Sequence, residues 1–246
     1  LFSLNDEGHH YVEALGDRGV LFSQELDDLF VTYEGVKVKI TTNQELFIFH
    51  EVFIKKVYNL IFPHACTIVD IGMNVGFASL FFALLPNVDR VIGFEPFPTT
   101  FFLAQENLRL NPHLSRKIKP HCKGLGIDTY SAEVWYDEIR RGSNKIDSNS
   151  VLPIKETVLI EKASEALSFH VGAPPGLVVK IDAEGSEDII LYNLEASGYI
   201  SNVDYFMIEY HEDNSKELIK VLTYNGFKVL HLDYDPKYKV GMLYAS

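Results

Sequence analysis

A chain of 246 residues with 47% hydrophobic content holds enough apolar material for one sizeable core, and its formal net charge of −12 argues against a phosphate-backbone partner such as RNA or DNA. The longest apolar runs, such as Ser79 to Pro86, are too short to cross a bilayer. No signal-peptide pattern is present, although a start at Leu1 rather than Met leaves a lost leader open. Cys66 and Cys122 form neither a metal-ligand spacing nor a disulfide framework, which points to a reducing cytoplasm.

In chain order, residues 1–28 read as a polar arm or cap, with Gln24 to Leu29 as one helical turn. Leu29 to Thr32 and Val36 to Thr41 alternate apolar and polar residues around Glu34-Gly35, the pattern of a hairpin. Leu46, Phe49, Phe53, Val57 and Leu60 then recur at helical spacing, which predicts a helix over 43–60 capped by Asn43 and stopped before Pro63. Residues 1–62 are thus expected to form an arm, hairpin and helix packed on a main domain of residues 63–246.

From residue 67 strands and helices alternate. Strands are predicted at 67–71, 90–95 and 118–123, with helices at 75–85 and 99–110. Short extra strands are expected at 133–136 and 158–162, separated by a polar loop at 140–150. Strands at 177–182 and 204–210, each followed by a helix (186–195, 215–225), precede a closing hairpin of 227–232 and 240–245 through Asp235-Pro236. This pattern predicts an α/β fold with a mostly parallel sheet.

In such a sheet, ligands bind beyond the carboxyl ends of the strands. Asp70, Glu95, Asp182 and Glu209 all fall at such ends. Gly72 and Gly76 flank a strand-to-helix turn, Asp70-Ile71-Gly72-Met73-Asn74-Val75-Gly76, that allows close backbone approach to a ligand; by itself it reads equally well as an ordinary connection. Glu95, at the end of the next strand, is placed to accept both hydroxyls of a ribose, and Pro96 and Pro98 restrain the chain leaving it. Lys180 lies inside an apolar strand, where an ammonium needs a partner; Asp182, Glu184 and Glu209 are available, either as a structural ion pair or as part of a site. His211 follows the strand end at Glu209-Tyr210 and is either a proton acceptor or a packing residue. The tyrosines Tyr33, Tyr58, Tyr130 and Tyr136, with Trp135, are pocket-lining or core residues.

Asp-Ile-Gly-Met-Asn-Val-Gly at 70–76 followed by Phe-Glu-Pro-Phe-Pro at 94–98 resembles the cofactor signature of class I S-adenosylmethionine-dependent methyltransferases. Lys-Ile-Asp-Ala-Glu-Gly-Ser-Glu at 180–187 and Ile-Glu-Tyr-His at 208–211 resemble the FkbM family within that class. The resemblance covers residues 29 to 232. It implies a Rossmann-like fold whose seven strands run in the order 3-2-1-4-5-7-6, with strand 7 antiparallel. It also implies that Asp70, Gly72 and Asn74 surround the methionine part of S-adenosyl-L-methionine, that Glu95 holds the ribose hydroxyls, that Gly126 lies in the adenine-side segment 124–128, and that Asp182 and Glu184 lie near the methyl; Met73, Gly76 and Pro96 complete the expected cofactor-binding set. Met73 stands where alanine is usual. Ile127 stands where an acid is common, and Ser164-Glu165-Ala166-Leu167 replaces a more acidic stretch.

The expected reaction is methyl transfer to a hydroxyl of a small-molecule acceptor, a sugar or natural product. Asp182 is the first candidate base, His211 the second, and Lys180 completes the catalytic set. No metal-ligand spacing is diagnostic. The rivals are an NAD-dependent Rossmann oxidoreductase, against which Asn74 in place of the middle glycine argues, and a non-catalytic cofactor-binding module.

Overall fold

A computed structural model describes residues 4–59, 62, 64–139, 143–144, 154–211, 215–235 and 240–246. The chain enters through α1 (Asp6–Gly16), whose N-cap Asn5 accepts the Gly8 amide. Three antiparallel strands follow: β1 (Leu21–Glu25), β2 (Asp28–Tyr33) and β3 (Val36–Ile40). The predicted hairpin around Glu34-Gly35 is the β2–β3 pair. The helical turn expected at Gln24 to Leu29 is absent. Leu26 takes φ +56°, which turns the chain directly from β1 into β2, and its side chain is almost fully exposed, so no apolar face exists there to fix a helix.

The next helix starts at Thr42 rather than Asn43. Thr42 and Glu45 form a reciprocal capping box at the head of α2 (Asn43–Phe49), while the Asn43 side chain accepts the Asn5 amide from α1. At His50 the helix widens into a π turn that runs to Lys55 and ends at Lys56 in the left-handed region (φ +56°), short of the predicted end. Phe49 and Phe53 stack at 4.5 Å between centroids and meet Phe77 and Phe81 edge-on. Leu60, Pro63, Pro236 and most of the 140–150 loop lie outside the described residues.

The remaining elements are β4 (Cys66–Ile71), α3 (Phe77–Leu84), β5 (Val88–Phe94), α4 (Pro98–Leu110), α5 (Pro112–Ser115), β6 (Ile118–His121), β7 (Gly124–Gly126), β8 (Tyr130–Tyr136), β9 (Ile154–Lys162), α6 (Ala163–His170), β10 (Leu177–Ile181), α7 (Glu187–Ala196), a 3₁₀ turn (Tyr199–Asn202), β11 (Tyr205–His211), α8 (Ser215–Tyr224), β12 (Val229–Asp235) and β13 (Val240–Ala245). The central sheet has seven strands in the order β12-β13-β11-β10-β4-β5-β6. Read from the far edge this is the predicted 3-2-1-4-5-7-6, with β13 antiparallel to β11 as expected. β7, β9 and β8 form a separate three-stranded sheet. Among the described residues of the second half the sequence reading passes over β7, helix α6 and the 3₁₀ turn. Ala163, Ala166 and Leu167 are the buried face of α6, in the stretch taken as a surface variation.

Alternate residues of the central strands feed two cores. Val69, Ile71, Val179 and Ile181 face α6, α7 and α8; Ile68, Val178 and Met207 face α3 and the N-terminal segment, whose Leu15, Val38, Phe49 and Phe53 belong to the same cluster. Among the described residues no helix is long and apolar enough to cross a membrane. Phe53→Ala removes a fully buried ring from this second core and is expected to lower unfolding stability by about 3–5 kcal/mol in urea titration.

Candidate functional site

The floor of the site is an ion pair inside the sheet. In the parallel β4–β10 register Lys180 lies directly beside Asp70. The Lys180 ammonium sits 3.0 Å from Asp70 and 3.4 Å from Asp182, and donates to the Gly72 carbonyl at 2.7 Å. Asp70 is fully buried and also accepts the Ser79 hydroxyl from α3 at 2.6 Å. Burial opposes the charge on Lys180, but the two carboxylates outweigh it and hold its pKa above the ordinary value. Tyr58 packs its ring 5.6 Å from the same ammonium and donates its hydroxyl to Glu209 at 3.2 Å. Glu209 is pushed far up by burial and by the nearby Asp182 charge.

Above this floor runs the turn from β4 to α3. Gly72 (φ +76°) lies against the next loop: a Cβ there would fall 1.7 Å from the Asp182 carbonyl oxygen. The Gly72 and Met73 amides both donate to the Phe94 carbonyl at 3.0 Å. Met73 points away from the surface and packs over Gly93, where a Cβ would meet its sulfur at 2.5 Å. Asn74 adopts φ +50° and accepts the Val75 amide with its own side chain at 2.8 Å, a local bond that asparagine makes readily. Gly76 (φ +86°) opens α3.

Glu95 closes one side. Its carboxylate accepts the Asn74 amide at 2.9 Å and the Phe97 amide at 3.0 Å. Burial raises its pKa to about 7 against those two hydrogen bonds. Gly72, Asn74, Glu95, Pro96, Asp182 and Glu184 line one cleft, together with Ile71, Phe94, Phe97, Gly124, Leu125, Asn144, Ala183 and Ser186. The apolar wall of Phe94, Pro96, Phe97 and Leu125 faces carboxylates at the other end. On the far side of the β10–α7 turn, His211 Nε2 lies 3.3 Å from Glu184, and Nδ1 lies 3.2 Å from the buried Glu187. Burial opposes protonation of His211, but Glu187, Glu184 and Asp182 together raise its pKa to about 9.

No family model matches the chain. A methyltransferase named Methyltransferase 1 from Beauveria bassiana is 29% identical over 190 residues, covering 70% of this chain and 74% of that protein. The solved FkbM methyltransferase of Methylobacillus flagellatus superposes with a TM-score of 0.57 at 19% identity over 80% of this chain. The chain shares the fold of that FkbM methyltransferase. The alignment spans 48% of the Methylobacillus FkbM chain. A shorter match, 31% identical over 94 residues, falls in the antimetabolite synthetase AmbE of Pseudomonas aeruginosa and spans 4% of it.

Within this FkbM-type fold the residues singled out from sequence do not all share one surface. Gly72, Asn74, Glu95, Pro96, Asp182 and Glu184 meet in the cleft; Asp70, Met73 and Lys180 lie beneath it as supports. Gly76 caps α3, and its nearest neighbours are Ala104 and Met73. Gly126 ends β7, packed so closely on Ile160 that a Cβ would sit 2.9 Å away; Gly124 and Leu125 reach the cleft instead. Lys180 was expected to pair with Asp182, Glu184 or Glu209. Asp182 is one partner, and Asp70, its neighbour in register, is the nearer one. Tyr136 is core, hydrogen-bonded to Thr100, and Tyr130 is exposed. Phe97, Asn144, Ser186 and Glu187 are the residues that sequence reading missed.

Lys180→Met leaves Asp70 buried without a counter-charge and is expected to cost about 3–5 kcal/mol in urea unfolding, whereas the Asp70→Asn/Lys180→Met pair recovers much of that loss.

Proposed function

We propose that this protein transfers a methyl group from S-adenosyl-L-methionine to a hydroxyl oxygen of a small-molecule acceptor, a sugar or natural product. The observation that carries the reading is the joint placement of Glu95, Asp182 and Glu184 around one cleft beside the Gly72–Gly76 turn. The donor set fits the cofactor. Glu95 retains acceptor capacity for ribose hydroxyls, the apolar wall suits a purine, and the carboxylates of Asp182 and Glu184 favour a sulfonium and an ammonium by charge. A net charge of −12 supports a small acceptor over a nucleic acid.

S-adenosyl-L-methionine, held by Glu95, Asp182 and Glu184, would supply an electrophilic methyl for the acceptor oxygen and leave as the neutral thioether. The chain's own work is to hold the acceptor in line, exclude water and take the hydroxyl proton. Asp182 is the preferred proton acceptor: it faces the cleft, and Lys180 holds its carboxylate from below. His211, with a pKa near 9, carries a proton at neutral pH and is the weaker base. The proton passes from Asp182 to solvent after the transfer.

Glu95→Ala is expected to weaken S-adenosylhomocysteine binding by about 1.5–3 kcal/mol in calorimetric titration, through loss of hydrogen bonds to a charged group. Asp182→Asn is expected to lower methyl transfer to a panel of hydroxyl acceptors by about 10²–10⁴-fold while the cofactor still binds. Thermal stabilisation by S-adenosylhomocysteine and not by NADH separates this reading from a nicotinamide oxidoreductase; the reverse result sinks it.

A further inference from the structure

Glu187 has no place in the cleft lining, yet it is the most heavily bonded carboxylate near it. Its side chain is fully buried at the first turn of α7. One oxygen accepts the Ala183 amide at 3.0 Å and the Gly185 amide at 3.0 Å; the other lies 3.1 Å from the Gly185 amide. The same first oxygen is 3.2 Å from His211 Nδ1 at the end of β11. A carboxylate without a proton can only accept, so Nδ1 must be the donor, whether the ring is neutral or charged. That leaves Nε2 to face Glu184, a residue of the cleft wall. The two backbone amides belong to the turn that directly follows Asp182, whose Glu184 adopts φ +51° and which contains Gly185 at φ +102°. One anion therefore braces both the turn that carries Asp182 and the imidazole that stands across from it.

We propose that Glu187 is a positioning residue: it fixes the Asp182–Ser186 turn and sets the orientation of His211, so that Nε2 is directed at Glu184 of the cleft wall. This deepens, and rests on, the methyl-transfer reading. The charged and titratable groups around His211 are Glu187 from α7, Asp182 and Glu184 from the turn, and Glu209 from its own strand. Glu187 is the one of the four that is fully buried and bonded to the ring's inner nitrogen. Its own pKa lies below the ordinary carboxylate value: burial pushes it up, but the His211 and Gly185 hydrogen bonds outweigh that. The anion is therefore stable in place.

The test compares Glu187→Gln, which keeps the shape and removes the charge, with Glu187→Asp, which keeps the charge on a shorter arm. The titration of His211 is followed by long-range proton–nitrogen NMR, next to the kinetics. In Glu187→Gln the His211 midpoint is expected to fall by at least about one unit. The turnover rate is expected to drop at least about tenfold, with KM for S-adenosyl-L-methionine changed less than about twofold, and the pH–rate profile to move with the midpoint. Glu187→Asp is expected to restore part of both effects, and it takes over the test if Glu187→Gln does not fold. An unchanged His211 midpoint and pH profile in a folded variant, whatever its stability, overturns the proposal. Absence of methyl transfer by the unmodified protein refutes the functional reading instead, and the NMR titration then still decides whether Glu187 holds His211.

Discussion

Lys180 places an ammonium in the interior of a parallel sheet, 3.0 Å from Asp70 and 3.4 Å from Asp182. Removing such a charge from water costs several kcal/mol, and only close carboxylates and hydrogen bonds offset it. That demand organises the cleft. Asp70 must lie in register on the neighbouring strand, the Gly72 carbonyl must turn inward to accept a further hydrogen bond, and Asp182 must leave its strand at the right height. The strand ends are thereby locked at one level, and the two ligand-facing turns begin from a common floor. The pair need not add net stability to matter. Its contribution is to make one geometry of the rim much better than its neighbours.

The turns above that floor are fitted by close approach. Gly72 touches the Asp182 carbonyl so nearly that no side chain fits. Met73 fills the space that Gly93 leaves empty. An alanine at 73 would leave room beneath the turn, so the methionine of the turn and the glycine of β5 are complementary choices. Glu95 then ties the turn to the end of β5 by accepting the Asn74 amide. Glu95 is thus bonded to two backbone amides and buried at the rim. This explains why Glu95 is largely desolvated before any ligand arrives.

Much of this was legible in the sequence. Thr67-Ile68-Val69-Asp70-Ile71 and Leu177-Val178-Val179-Lys180-Ile181 are parallel-strand runs with the acid and the lysine at the same position, so their pairing follows from aligning the runs in register. The alternation of strand and helix predicted the sheet; of the four strand-end acids, Glu95 and Asp182 line the cleft, whereas Asp70 is buried beneath it and Glu209 is not among its lining residues. What remained hidden depends on contacts distant in sequence. The Asn43 side chain is used by Asn5, so the cap moves to Thr42. The π turn at His50 keeps the helical spacing of Phe49 and Phe53 but ends the helix early. Glu187 reads as an ordinary acid in the first turn of a helix. Its importance appears only when β11 brings His211 against it.

The N-terminal segment is more than a cover for the sheet. Tyr58 reaches the Lys180 ammonium and hydrogen-bonds Glu209, on the face of the sheet opposite α7. Glu51, in the π turn, has its pKa raised by burial and, against the nearby Lys55, by the Asp182 charge. Asp182 therefore stands between two sets of groups: the Glu184–Glu187–His211 cluster on one side, and Glu51, Tyr58 and Glu209 on the other. Burial and the nearby Asp182 charge push the pKa of Glu209 up, and its carboxyl accepts the Tyr58 hydroxyl. The described part of the arm, residues 4–28, builds α1 and the outer strand β1, and its Leu15 is buried in the same core as Phe49 and Phe53.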